Sequence, residues 1–372
     1  MGAIIENNQS KLNKLPNDWE VKKLGEILKI CHGKSQKDVV AEDGIYPILA
    51  TGGQIGKASR ALYTKPSVLI GRKGTIDQPQ YMGTPFWTVD TLFYSTMKED
   101  NDAKFFYYKF CTIPWKNFNE ASGVPSLNAR TIENIDVVCP KPKMQKIIAN
   151  VLSDVDVLLE WLEQLIVKKE NVKQATMYQL LSDEVFSSKN SNDWKEQSLK
   201  NLANISKGHQ LDADDTNLQE KIPHYNGGMF PSSYTNKSNR EPNTIAISEG
   251  GNSCGYVQII NEPFWCGGHC YTLKPLSIDN NFLFYALKHR QKKIMKLRVG
   301  SGLPNIQKNA LAQFKLRFPV MINEQKQIAE ILSNMDKELD ALKLRRDKTL
   351  NLKQAMMYEL LSGKTCLPNE GI

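Results

Sequence analysis

The residues of this 372-residue chain best suited to chemistry stand in glycine-rich loops, as polar side chains able to donate to an acid or a base edge. In the first half these are Lys34, Gln36, Gln54, Lys57, Arg72, Lys73 and Thr75, set among Gly52, Gly53, Gly56, Gly71 and Gly74. Glycine lets a backbone approach a phosphate closely, Arg and Lys match guanine edges, and Gln and Asn match adenine. The second half offers Lys207, His209, Gln210, Asn226, Asn252 and His269, with Glu249 placed where Arg72 or Lys73 lies in the first. An acid at that place could accept from a cytosine amino group or pair with a neighbouring cation, and pairing is the simpler expectation. This is the chemistry of a nucleic-acid reader.

Other chemistries find little support. Gly33-Lys34-Ser35 ends like a phosphate-binding loop, but Leu28 stands where that motif needs its first glycine. There is no GxGxxG turn, no Asn-Pro-Pro-aromatic motif of an amino-methyltransferase and no HExxH. Cys254, Cys266, His269 and Cys270 offer soft ligands, yet only Cys266 and Cys270 come as a close pair. A core of free thiols beside a DNA-facing histidine, with no metal, is the expectation.

What must position these loops is a duplicated scaffold. Residues 145–182 return as 325–362 with no gap, identical at 19 of 38 positions, including Gln145, Asp156, Lys168 and Asn171. Ile148, Leu152, Val155, Leu159, Leu162 and Ile166 alternate four and three apart, as do Ile328, Leu332, Met335, Leu339 and Leu342. That rhythm is a coiled-coil seam, and each copy can run as one helix of about 55 Å. The two are expected to pair antiparallel.

The duplication reaches beyond the helices. Asn17-Asp18-Trp19 with Leu24, Ile27, Ile30 and Gly33 returns as Asn192-Asp193-Trp194 with Leu199, Leu202, Ile205 and Gly208. Gly52-Gly53 pairs with Gly227-Gly228, Pro85-Phe86-Trp87 with Pro263-Phe264-Trp265, and Ser122-Gly123-Val124-Pro125 with Ser301-Gly302-Leu303-Pro304. The aromatic triplets, kept in both halves, are expected in the core. Between landmarks the halves differ, so a common scaffold carries loops free to read different things. Strands are predicted over 67–71, 93–96, 135–139, 244–248, 255–260, 270–274 and 314–318, and helices over 102–118 and 281–297. The architecture is head, helix, head, helix, an α+β or mixed class. Its expected divisions are 1–143, a helix over 144–184, 185–322, a helix over 323–363, and a tail over 364–372.

Net charge is +8, while residues 143–182 carry five basic and five acidic side chains and 323–362 seven of each. The excess therefore lies on the heads, as expected of a polyanion binder on neutral helices. No apolar window reaches membrane length, the first residues lack a secretion signal, and seven scattered cysteines suit a reducing compartment, so a cytoplasmic protein is expected.

With its repeated Asn-Asp-Trp openings, its turns at 121–125 and 300–304, and helices ending MYQLLS and MYELLS, the chain resembles the DNA-specificity subunit of type I restriction-modification systems. The first head departs slightly, with Ala121 where the second has Gly300. The resemblance implies that each head reads one half of a split double-stranded DNA target, while the helices space the heads and dock modification subunits. Two equivalent helices suggest two such subunits. Adenine methylation with S-adenosylmethionine, and ATP- and Mg-dependent cleavage by restriction subunits, would belong to partners; this chain would bind no cofactor and catalyse nothing. The alternatives are a specificity partner of a fused nuclease-methyltransferase and a coiled-coil scaffold that binds no DNA.

Overall fold

The computed structural model describes residues 16, 18–182, 193–212, 220–300, 302–365 and 367. Asn17, Asn192, Ser301 and most of the tail over 364–372 lie outside them. Two compact units divide the chain: residues 1–163 with 344–372, and residues 164–343.

In the first unit the head comprises β1 (Trp19–Lys23), α1 (Leu24–Ile27), β2 (Leu28–Cys31), β3 (Tyr46–Ala50), β4 (Gly53–Ala58), β5 (Ser67–Gly71), β6 (Gln80–Met82), β7 (Trp87–Thr88), β8 (Leu92–Met97), α2 (Ala103–Phe110), α3 (Ala129–Glu133) and β9 (Asp136–Pro140). The strands form a β2-β8-β5-β6 sheet, a β4-β3-β7 sheet and a β1-β9 pair. A long helix α4 (Pro142–Leu181) follows. The second head repeats the series: β10 (Trp194–Ser198), α5 (Leu199–Leu202), β11 (Ala203–Lys207), β12 (Ile222–Tyr225), β13 (Ser233–Thr235), β14 (Thr244–Ser248), β15 (Val257–Ile260), β16 (Trp265–Cys266), β17 (Cys270–Pro275), α6 (Asn280–His289), α7 (Gln291–Met295), α8 (Lys308–Ala312) and β18 (Lys315–Pro319). Its sheets run β11-β17-β14-β15, β13-β12-β16 and β10-β18, the same topology strand for strand. The chain's last long helix is α9 (Ile322–Ser362).

The helices expected over 102–118 and 281–297 are each broken. The first stops at Phe110, and a separate 3-10 turn spans Trp115–Phe118. Pro114, which has no amide to donate, stands between them. The second ends at His289, and Arg290, at φ −95° and ψ 11°, separates it from α7. Each starts on an aspartate cap: Asp102 accepts from the Phe105 amide at 2.8 Å and Asp279 from the Phe282 amide at 2.9 Å.

Each long helix is fastened to its own head by a buried glutamine. The Gln145 amide group accepts from the Asp102 N–H at 2.9 Å and donates to the Pro140 carbonyl at 2.9 Å. Gln325 makes the same two bonds, with Asp279 and Pro319, at 2.8 Å each. The repeated polar positions are therefore latches. A second pair lies farther along, where the Tyr108 hydroxyl donates to Asp156 at 2.6 Å and Tyr285 to Asp336 at 2.7 Å. Within the first unit Asp156 also pairs with Lys353, and within the second Asp336 pairs with Lys173. The helices run antiparallel, since in the second unit Lys169 and Lys173 of α4 meet Glu338 and Asp336 of α9 in descending order. Every residue of the two predicted seams is buried or half-buried. Nothing in the structure accounts for the repetition of Lys168 and Asn171.

The first core gathers Leu24, Ile27, Val68, Ile70, Phe105, Phe106 and Trp115 with Ile148, Leu152 and Leu361. The second gathers Leu199, Leu202, Ile245, Ile247, Phe282 and Leu316 with Leu181, Ile328 and Leu332. Among the described residues no helix is long and apolar enough to cross a membrane.

Candidate nucleic-acid interface

Three loops converge in each head, and a left-handed glycine joins them. In the first head Gly74, at φ +88°, donates its N–H to the Pro125 carbonyl at 2.9 Å, and its missing Cβ would stand 3.7 Å from the Thr51 hydroxyl. The turn after β3, the Arg72–Thr75 loop after β5 and the Ala121–Pro125 loop thus meet at one residue. Lys73 is bridged to Ser126, and the Arg72 carbonyl accepts from the Leu127 amide at 2.9 Å. In the second head Gly251, at φ +75°, donates to the Pro304 carbonyl at 3.0 Å, and the Glu249 carbonyl accepts from the Ile306 amide at 2.8 Å. The Gly227 carbonyl accepts from the hydroxyl of Ser253 at 2.6 Å, which brings in the turn after β12.

These equivalences align Glu249 with Arg72. Arg72 lies 3.9 Å from Asp90 and donates to the Asp90 carbonyl at 3.3 Å. Glu249 accepts from Lys207 Nζ at 2.7 Å and from the Tyr271 hydroxyl at 2.9 Å, with His269 Nδ1 3.9 Å away. The side chain is only 12% exposed, and its Oε2 accepts no hydrogen bond. Burial, and after it the carboxylate, pushes the Tyr271 phenol up, so the hydroxyl stays a donor. The pairing expected for Glu249 is what the structure contains.

Of the other predicted residues, Lys73 is exposed and Thr75 half-buried on the Gly74 loop. Gln54 is exposed on β4 and donates to the Gly56 carbonyl at 3.1 Å. Lys34 and His209 prove equivalent: each is exposed, and the carbonyl of each accepts the indole N–H of the repeated tryptophan, Trp87 at 3.0 Å and Trp265 at 2.8 Å. Gln36 and Lys57 are tied to one another through the Val39–Ala41 segment rather than to the Gly74 junction. In the second head Asn226 Oδ1 accepts from the His269 amide at 3.0 Å, and Gln210 lies against Gly268. Asn252 is exposed next to Gly251.

Phe86 and Phe264 are fully buried, as expected, and Trp87 nearly so, whereas Trp265 is half-exposed. Gly33 and Gly208, read first as part of a motif, have a packing reason. A Cβ on Gly33 would stand 2.0 Å from the Val89 carbonyl oxygen, and one on Gly208 2.2 Å from that of Gly267. The thiols lie apart: Cys254 belongs to the large core, Cys266 and Cys270 to a small separate one, and the His269 side chain is exposed. Among the described residues no group of three or more His, Cys, Asp or Glu side chains could hold a metal ion. Sequence reasoning passed over Asn119, whose Oδ1 accepts from the amides of Ala121 and Ser126 at 3.1 and 2.9 Å and so shapes the loop. An Asn two residues before the Ala-Ser-Gly-Val-Pro turn was the available signal.

A doubled α+β head on a doubled helix, with the same three loops drawn together in each copy, is the architecture of a two-headed protein. The model of the type I restriction modification DNA specificity domain matches residues 16–170 and again 191–352, and the chain belongs to that family. A putative type I specificity subunit of Mycoplasma genitalium is 33% identical over 176 residues, 46% of each chain. That match spans under half of the relative's length. The specificity subunit of the type I restriction enzyme MjaVIII of Methanocaldococcus jannaschii is 26% identical over 96% of this chain and 95% of its own. The crystal structure of a type I restriction-modification S subunit from M. genitalium has the same fold, with a TM-score of 0.74 at 18% identity over 96% of this chain and 98% of that one.

Proposed function

We propose that this chain is the DNA-specificity subunit of a type I restriction-modification complex, each head reading one half of a bipartite duplex target. The observation that carries the reading is the junction at Gly74 and Gly251, which presents the same three loops in both heads with different side chains. The reading residues are Lys34, Gln36, Gln54, Lys57, Arg72, Lys73 and Thr75 in one head and Lys207, His209, Gln210, Asn226, Glu249, Asn252 and His269 in the other. Phosphate contacts by the lysines set register, and Arg, Gln, Asn and His supply base-edge donors and acceptors. Glu249 holds Lys207 through Oε1, so its first role is to orient that lysine. The helices fix the spacing of the heads and dock methyltransferase subunits, two by the equivalence of α4 and α9. S-adenosylmethionine, ATP and Mg act in those partners and in restriction subunits, and the chain alone transfers no methyl group.

The test is methylome mapping of a cell carrying this gene and its partners, followed by binding of the mapped duplex. A split target methylated at adenine is expected, with affinity falling steeply as salt rises. An absence of duplex binding at every salt concentration would support the scaffold reading instead.

A further inference from the structure

The loop end of each head exposes large apolar side chains among its cations. Val124 is 65% exposed and Ile55 56% in the first head; Leu303 is 86% and Phe230 75% exposed in the second. One exposed leucine on a protein needs no explanation. Two of these, however, occupy matching positions, and the other two lie on corresponding hairpins. Val124 and Leu303 each precede the proline whose carbonyl is held by the left-handed glycine, Gly74 or Gly251. Ile55 and Phe230 lie on corresponding hairpins but not at equivalent positions, since Ile48 and His224, which both pair with the repeated tryptophan, have Gly56 and Ser233 as their other partners.

The backbone does not merely tolerate these tips; it builds them. The register of β3 against β4 slips between Ile48 and Leu49, whose partners are Gly56 and Gln54, so Ile55 is the bulged residue. A bulge re-aims the side chain it carries. Glu120 closes the first tip loop by donating to the Ser126 carbonyl at 3.0 Å, and Val299 and Asn305 close the second with bonds of 2.8 and 3.0 Å. At the second tip the residue differs between heads, Val124 against Leu303, while the apolar character and the placement stay.

The occupant follows from what stands beside the tips. Lys57 is two residues from Ile55, and Lys73 is bridged to Ser126, two residues from Val124. Cationic and apolar groups alternate over a few residues, as phosphates and thymine methyl groups do across the major groove of a duplex. A phosphate makes no favourable contact with a leucine, whereas a thymine C5-methyl does. We infer that Ile55 and Val124 in the first head, and Phe230 and Leu303 in the second, contact base edges and read thymine methyl groups in their own half of the target. The inference rests on the DNA-reading role proposed above.

Val124→Ser and Leu303→Ser test it in the full chain assembled with its modification subunits, titrated against the mapped target duplex and a scrambled one. Both side chains are exposed, so the unfolding temperature is expected to hold. Each variant should bind the target about 4- to 15-fold more weakly, the range of losing one to two buried methylenes, and the scrambled duplex as before. Replacing every thymine of one half-target by deoxyuridine should weaken the wild type, and should cost the variant of the head reading that half little more. Equal weakening on target and scrambled duplexes, or unchanged target affinity, overturns the inference. So does a variant that binds DNA normally but loses its modification subunits, since the tips would then be a protein-docking surface. A wild-type complex with no preference for its mapped duplex would overturn the DNA-reading role itself, and this inference with it.

Discussion

Gly33 and Gly208 each sit where a β-carbon would run into a carbonyl oxygen of the neighbouring turn, a backbone atom that cannot rotate away. Gly33→Ala and Gly208→Ala are therefore expected to cost about 1–3 kcal/mol or more, visible as a lowered unfolding temperature of the full chain. An unchanged midpoint in both would show that the turn gives way. The exposed lysines behave differently. Lys73→Ala should leave stability intact, weaken binding to target and scrambled duplexes alike, and reduce the salt slope by about one. A loss confined to the target would make Lys73 a base reader instead.

At the scale of elements, both heads half-bury a lysine on the helix that packs against the sheet. Lys109 of α2 donates to the Leu361 carbonyl at 2.8 Å, and Lys288 of α6 to the Val257 carbonyl at 2.8 Å. Burial is the main cause that pulls each ammonium down to about 8. Between about 8 and the ordinary lysine value of 10.5, these two side chains bind more protons in the unfolded chain than in the folded one, so their own contribution to stability rises with pH across that window, against the opposite contribution of the buried thiols Cys139 and Cys254. Denaturant midpoints at pH 7.5 and 9.5 check this. Lys109→Met and Lys288→Met together should flatten the rise; a rise that survives both substitutions would assign it to other groups. The glutamine latches offer a second check at this scale. Gln145→Ala leaves the Asp102 amide and the Pro140 carbonyl without their buried partner, at a cost of about 1–3 kcal/mol for each group.

At the scale of the whole molecule, the two heads share a strand-for-strand topology and two latches, but not their loop side chains. Exchanging residues 1–143 for the head of a relative should change one half of the methylated sequence and leave the other as it was. A change in both halves would end the modular reading. The sequence by itself determined the duplication, the head-helix-head-helix order and the coiled-coil seam, because identity at a fixed offset and a four-three apolar rhythm are properties of the chain alone. It also placed the long strands such as Ser67–Gly71 and Thr244–Ser248, whose apolar runs are continuous. It missed short strands such as Trp87–Thr88 and Trp265–Cys266, since two residues carry no period. Only the tertiary structure decided that Arg72, rather than Lys73, is the counterpart of Glu249, that Gly33 serves packing, and that Gln145 and Asp156 fasten helix to head. Those facts are contacts between residues 40 or more positions apart, and long-range pairing leaves no local signature: a glutamine that binds a distant amide reads like one that faces water.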